Sequence, residues 1–174
     1  MPEKNNTKPT IEEACERLIE NRSLSESMAQ MLDFLRELKM KPGLVSKNTF
    51  NCNYKGKKVA TFNIGGVGYH PGGGDNIDVV IVSCMLAEKD DLENVVYALP
   101  DDLRAEFLKP RTETHCAGGC RAAKCGNSAL VKVSEEEYWF CSRFSYIIKN
   151  PTPEEFESIK HFIILRREYI DSKK

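Results

Sequence analysis

The chain is expected to fold as an α+β domain: two amino-terminal helices, an antiparallel sheet built from two hairpin or meander units, a cysteine-rich metal loop and a carboxy-terminal core helix. Three observations carry this expectation. Apolar residues recur at helical spacing up to Pro42-Gly43, switch to a period of two between Thr49 and Cys84, and return to helical spacing after Pro153. Short turn signals, not helical crossovers, separate the first strand-like runs, as adjacent antiparallel strands require. Between His115 and Cys125 all periodicity stops in a stretch of cysteines and glycines. At 174 residues the chain has the usual size of one domain, large enough for a core without disulfide staples. The domain is expected to span residues 10–172, with residues 1–9 a flexible terminus and a metal-binding insert at about 115–141.

Thr10 followed three residues later by Glu13 has capping-box spacing and opens the first helix, whose stripe is Ile11, Ala14, Cys15, Leu18 and Ile19. Ser23 with Glu26 repeats the spacing. Leu24, Met28, Met31, Leu32, Leu35 and Leu38 then form a second stripe that ends at Pro42-Gly43. From Thr49, Phe50, Cys52 and Tyr54 fall on one side of a strand and Asn51 and Asn53 on the other. Lys55-Gly56-Lys57 turns the chain, and the returning strand puts Ala60, Phe62 and Ile64 on one face. After the glycine-rich loop from Gly65 to Gly74, the run Ile77 to Cys84 suits a central strand. Leu92, Val95, Val96 and Leu99 mark a short helix, and Pro100 starts another that ends before Pro110. Ala129 to Val133 and Tyr138 to Ile148 read as a second hairpin around residues 134–137. Thr152-Pro153-Glu154-Glu155 supplies an N-cap, a first-turn Pro and a capping-box Glu for the last helix, apolar at Phe156, Ile159, Phe162, Ile163, Leu165 and Ile170.

Seven cysteines in a chain with no secretory features point to metal or thiol chemistry rather than a disulfide framework. Cys116, Cys120 and Cys125 lie within ten residues beside Gly118, Gly119 and Gly126, and the following hairpin returns Cys141. Four thiolates close a tetrahedral zinc site, and glycines let a tight loop wind its backbone round the ion. Cys141 leaves its strand opposite to Phe140, away from the aromatic face, and is the favoured fourth ligand; His115 is the substitute donor. An iron-sulfur cluster uses the same four-cysteine set and stands as the alternative cofactor. Lys109, Arg111, Arg121, Lys124 and Lys132 would offset the charge of four thiolates on one divalent ion. Cys15, Cys52 and Cys84 read as core thiols.

Other chemistry is sparse. The loop Gly65 to Asp75 contains His70 but runs into a strand, where a phosphate loop would run into a helix; it reads as a movable rim. His161 reads as a helix-surface or packed histidine. No nucleophile elbow, metalloprotease helix or dinucleotide fingerprint is present, so the chain is expected to bind rather than catalyse. Tyr54, Phe62, His70 and Tyr146, with Phe140, are the candidate ligand contacts. The net charge of −1, from 25 basic and 26 acidic side chains, argues against a nucleic-acid or anionic-lipid partner. Residues 1–8 lack the apolar core of a signal peptide and no run reaches the roughly 18 residues of a spanning helix, so a soluble cytoplasmic protein is expected.

The run Tyr54-Lys55-Gly56-Lys57-Lys58-Val59, the glycine-bearing block Cys116 to Cys125, and Phe144 followed by Lys149-Asn150-Pro151 resemble a group of small bacterial proteins to which no activity is assigned. The resemblance spans about Phe34 to Tyr169 and implies an intracellular bacterial protein of mixed fold with a cysteine-bound metal. Two functions follow. Either zinc fixes the cysteine loop of a module that binds a small molecule or a protein, or the thiols are themselves the chemistry of a redox or soft-metal-handling protein.

Overall fold

The structure, a computed structural model, describes residues 8–65, 80–109, 128–141 and 146–173. It is α+β. The element order is α1 (Ile11–Leu18), α2 (Arg22–Glu37), β1 (Gly43–Ser46), β2 (Thr49–Tyr54), β3 (Lys57–Ile64), β4 (Val80–Cys84), α3 (Leu92–Tyr97), α4 (Asp101–Leu108), β5 (Ser128–Val133), β6 (Glu136–Cys141), β7 (Tyr146–Lys149) and α5 (Pro153–Ser172). A 3-10 turn, Lys89–Asp91, leads into α3. Five strands form one antiparallel sheet in the order β1-β2-β3-β4-β7, and β5 with β6 forms a separate two-stranded sheet.

Local signals explain most boundaries. Thr10 and Glu13 make both hydrogen bonds of a capping box, and Thr152 and Glu155 do the same at the start of α5. The start of α2 differs from expectation: its cap is Asn21, whose Oδ1 accepts from the Leu24 amide at 3.1 Å, so Ser23 lies inside the first turn. In the β2–β3 hairpin Lys55 and Gly56 have φ of 47° and 75°, the two positive values a tight hairpin turn with the right twist requires. β1 was not foreseen; its four residues are mostly exposed and carry no alternation to read.

The second hairpin requires a correction. A single strand from Tyr138 to Ile148 was expected, whereas β6 ends at Cys141 and β7 starts at Tyr146, and the two belong to different sheets. Tyr138, Phe140 and Tyr146 keep one parity across the break, so the pattern is the same for one strand or two. The turn is also shorter than expected, because β6 begins at Glu136 and Ser134 takes a φ of 57°. Phe144 lies outside the described residues, and β7 supplies the sheet strand expected there.

One face of the large sheet is the core. Phe50 is opposite Phe62, and Cys52, Ala60, Cys84 and Tyr146 form a continuous row across β2, β3, β4 and β7. These residues are buried with Phe156, Ile159, Phe162 and Ile163 of α5. Phe107 of α4 joins the two sheets: its ring is 4.9 Å from Phe140 of β6, 6.1 Å from Tyr146 of β7 and 5.6 Å from Phe162. The far end of α5 is fastened by polar contacts. Arg166, 1% exposed, donates to Glu88 Oε1 at 2.7 Å, the Tyr169 hydroxyl donates to Asp91, and Lys173 pairs with Asp91 at 3.0 Å.

Candidate functional site

Of the seven cysteines, the three on regular elements of the core are accounted for. Cys15 on α1, Cys52 on β2 and Cys84 on β4 are buried free thiols. Burial pushes Cys15 and Cys52 up to about 12, with Glu12 and Glu16 adding to the effect at Cys15, and raises Cys84 by burial and by the neighbouring Cys52. Cys52 and Cys84 flank Ala60 in register, two strand spacings apart, so their Cα atoms are about 9.5 Å from one another. A disulfide needs less than about 7 Å, so this pair stays reduced.

These shifts set an alkaline limit on stability. A thiol whose folded pKa exceeds its unfolded value of 9.0 contributes stability that is whole below pH 9 and is lost as pH rises toward about 12, because only the unfolded chain ionises there. Tyr169, also raised to about 12, acts in the same direction. The urea midpoint is therefore expected to fall steadily from pH 8.5 to pH 10.5, while thiol reagents leave Cys15, Cys52 and Cys84 unmodified at pH 7. A midpoint that is flat over this interval would contradict the assignment of these cysteines to a closed core.

Cys141 closes β6, and its backbone is in register with Ser128 at the start of β5. Its neighbours along β6 are described: Glu137 and Trp139 are exposed, and Phe140 is half-buried against Phe107. The other predicted ligands, Cys116, Cys120 and Cys125, and the substitute His115 lie outside the described residues. Among the described residues no group of three His, Cys, Asp or Glu side chains is placed to hold a metal. Two of the predicted counter-cations have carboxylate partners: Lys132 Nζ is 3.0 Å from Glu137, and Lys109 Nζ is 3.8 Å from Glu106.

The predicted ligand contacts are dispersed. Phe62 is fully buried, and Tyr146 is 1% exposed, with its hydroxyl donating to Glu106 at 2.9 Å. Phe140 is half-buried against Phe107. Tyr54 sits at the hairpin end, donating to Asp171 at 3.2 Å with the Arg167 guanidinium 5.1 Å above its ring, and so fastens the β2–β3 turn to α5. His70 lies outside the described residues, and His161 is exposed on α5.

The sheet has a second face that sequence reasoning passed over as the outer side of the strands. Asn51 is opposite Thr61, and Thr49 is opposite Asn63; Ser83 occupies the register position beyond Thr61. Thr61 Oγ1 donates to Asn51 Oδ1 at 2.9 Å. An outer face is ordinarily wet, yet Thr49, Thr61 and Asn63 are only 6%, 8% and 2% exposed. Along β2 the row opens outward, from buried Thr49 through half-buried Asn51 to exposed Asn53.

Fold and site together define an α+β domain with a closed thiol-bearing core, one polar sheet face, and a small hairpin that ends on a cysteine. No family model matches the sequence, and neither a curated protein nor a solved structure is similar to it. No helix among the described residues is long and apolar enough to cross a membrane.

Proposed function

We propose that this chain is a zinc-stabilised binding module, in which Cys116, Cys120, Cys125 and Cys141 hold one zinc ion and the large sheet with its glycine loop receives a small molecule or a protein. The observation that carries the metal is the register of Ser128 with Cys141. Cys125 is three residues before Ser128, so chain length alone keeps their Cα atoms within about 11 Å, and Cys141 is opposite Ser128. This register supports the reading by bringing the backbone of residue 141 alongside the end of the stretch that carries the other three cysteines. The distribution of cysteines supports the same reading: three are committed to the core, and the remaining four are the number a tetrahedral thiolate site takes. The reduced core thiols fit the intracellular bacterial setting that the sequence resemblance implies.

Elemental analysis of protein purified without added metal, with thiols counted before and after chelation, tests the proposal. One zinc per chain is expected, with at least four further thiols becoming titratable once the metal is removed. Four thiols that titrate at once in metal-free, fully folded protein would instead favour the redox or soft-metal alternative.

A further inference from the structure

The large sheet ends at β1, which is paired only with β2 among the described strands, and its two edges are finished differently. β7, the opposite edge, alternates buried and half-buried residues, whereas Gly43, Val45 and Ser46 of β1 are exposed and only Leu44 is half-buried. A methyl group at Gly43 would have no atom beyond its chain neighbours within 4 Å, so the space beside the strand is open there. An open strand edge presents N–H and C=O groups that another main chain can take up in register. Val45, 55% exposed, adds an apolar side chain for a cross-strand contact.

The charge around this edge is of one sign. From Leu38 to Ile64 the chain carries six lysines and neither Asp nor Glu. Lys41 and Lys47 bracket β1, both exposed and neither paired with a carboxylate among the described residues. The net charge of −1 hides this, because acids are gathered on α3, α4 and the turn before them. The lysines decide between occupants. A second copy added antiparallel across β1 would bring Lys41 of one chain to Lys47 of the other, and like charges facing each other across a strand pair are destabilising. A nucleic acid has no main chain to complete the edge, and the large aromatic side chains exposed among the described residues, Tyr97 and Trp139, are on α3 and β6, away from β1. An extended peptide segment bearing carboxylates satisfies both the backbone row and the lysines.

We propose that β1 is a docking edge for a partner protein, which adds an extended acidic segment as a sixth strand of the large sheet, its carboxylates meeting Lys41 and Lys47 and an apolar residue meeting Val45. The proposal rests on the binding-module part of the function proposed above, whose protein alternative it specifies, and is independent of the metal.

Backbone amide shifts and hydrogen exchange of the labelled full chain, followed during titration with a capped peptide of about eight alternating valine and glutamate residues, test it; this length spans β1 and both lysines. Saturable shifts centred on residues 41–47, with slower exchange across Gly43–Ser46, are expected. Lys41→Glu combined with Lys47→Glu should weaken binding by about tenfold or more and leave the melting curve unchanged, because both side chains are exposed. Full N-methylation of the peptide keeps its charges and removes its main-chain donors, and should abolish binding. Absence of shifts at β1, undiminished binding of the N-methylated peptide or by the doubly reversed variant, a stronger response to single-stranded oligothymidine, or self-association through β1 would each overturn the proposal. Zinc content measured on the same samples separates the two readings: zinc without these shifts removes only the docking edge, and shifts without zinc remove only the metal.

Discussion

Replacing Cys120 by Ser is expected to leave the protein with well under one zinc per chain and to lower its melting temperature by at least about 10 °C. Structural zinc in small domains supplies on the order of 10–16 kcal/mol, comparable with the roughly 5–15 kcal/mol that holds a whole domain together. Serine keeps the size of the side chain but is a poor zinc ligand, so the variant removes a donor without adding bulk. Losing only 3–4 kcal/mol of this stabilisation already moves a domain of this length by roughly 10 °C, at about 2–4 °C per kcal/mol. Unaltered zinc stoichiometry together with an unaltered melting curve would remove Cys120 from the site. The same substitution at Cys15 should leave zinc content unchanged, since Cys15 is in the core between α1 and α2.

Phe107→Ala is expected to cost about 3–5 kcal/mol, the range for deleting a buried aromatic ring. Phe107 is 1% exposed and touches the rings of Phe140, Tyr146 and Phe162, so its loss opens a void where both sheets and α5 meet. The effect should be uneven. A lone two-stranded hairpin is barely stable in water, and β5–β6 owes its position to Phe107 and to contacts with α3, including the Lys132 amide donating to Glu93 at 2.9 Å. Hydrogen exchange at Val131 and Tyr138 should therefore speed up more than exchange at Phe50 and Phe62. A loss below 1 kcal/mol by denaturant titration, or uniform acceleration everywhere, would show that the hairpin is held by something else.

How much of this was legible in the sequence depended on the range of the signal. The caps at Thr10 and Thr152 and the Lys55-Gly56 turn are set by residues within four positions of each other, and those elements form where the spacing placed them. The division of residues 138–148 between two sheets was hidden because parity is blind to which strand lies alongside. Arg166 was hidden for a related reason: its partners, Glu88 and the Lys58 carbonyl, are far away in the chain, so a charged letter amid apolar ones gave no warning of burial. At the candidate site, the core cysteines were readable from their apolar neighbours. The polar face was readable only as a side. That Asn51, Thr61 and Asn63 share a surface follows from alternation, but that the surface is enclosed depends on packing that alternation does not encode.

The placement of α5 has a consequence in time. Strands β1 to β4 are complete by Cys84, yet the sheet gains its last strand, β7, only at Tyr146–Lys149, and its core face is covered by a helix that ends at Ser172. At a synthesis rate of about 5–20 residues per second, the nascent chain carries Phe50, Phe62, Ile64 and Cys84 without their lid for roughly 5–20 s before the last turn of α5 is made. During that interval the half-built sheet is a sticky, unpaired surface with free strand edges, the kind of species that chaperones engage. The polar clasp of Arg166, Tyr169 and Lys173 onto Glu88 and Asp91 is then the last stitch, and a chain released before α5 is made lacks both this clasp and the apolar residues Phe156, Ile159, Phe162 and Ile163 that close the core.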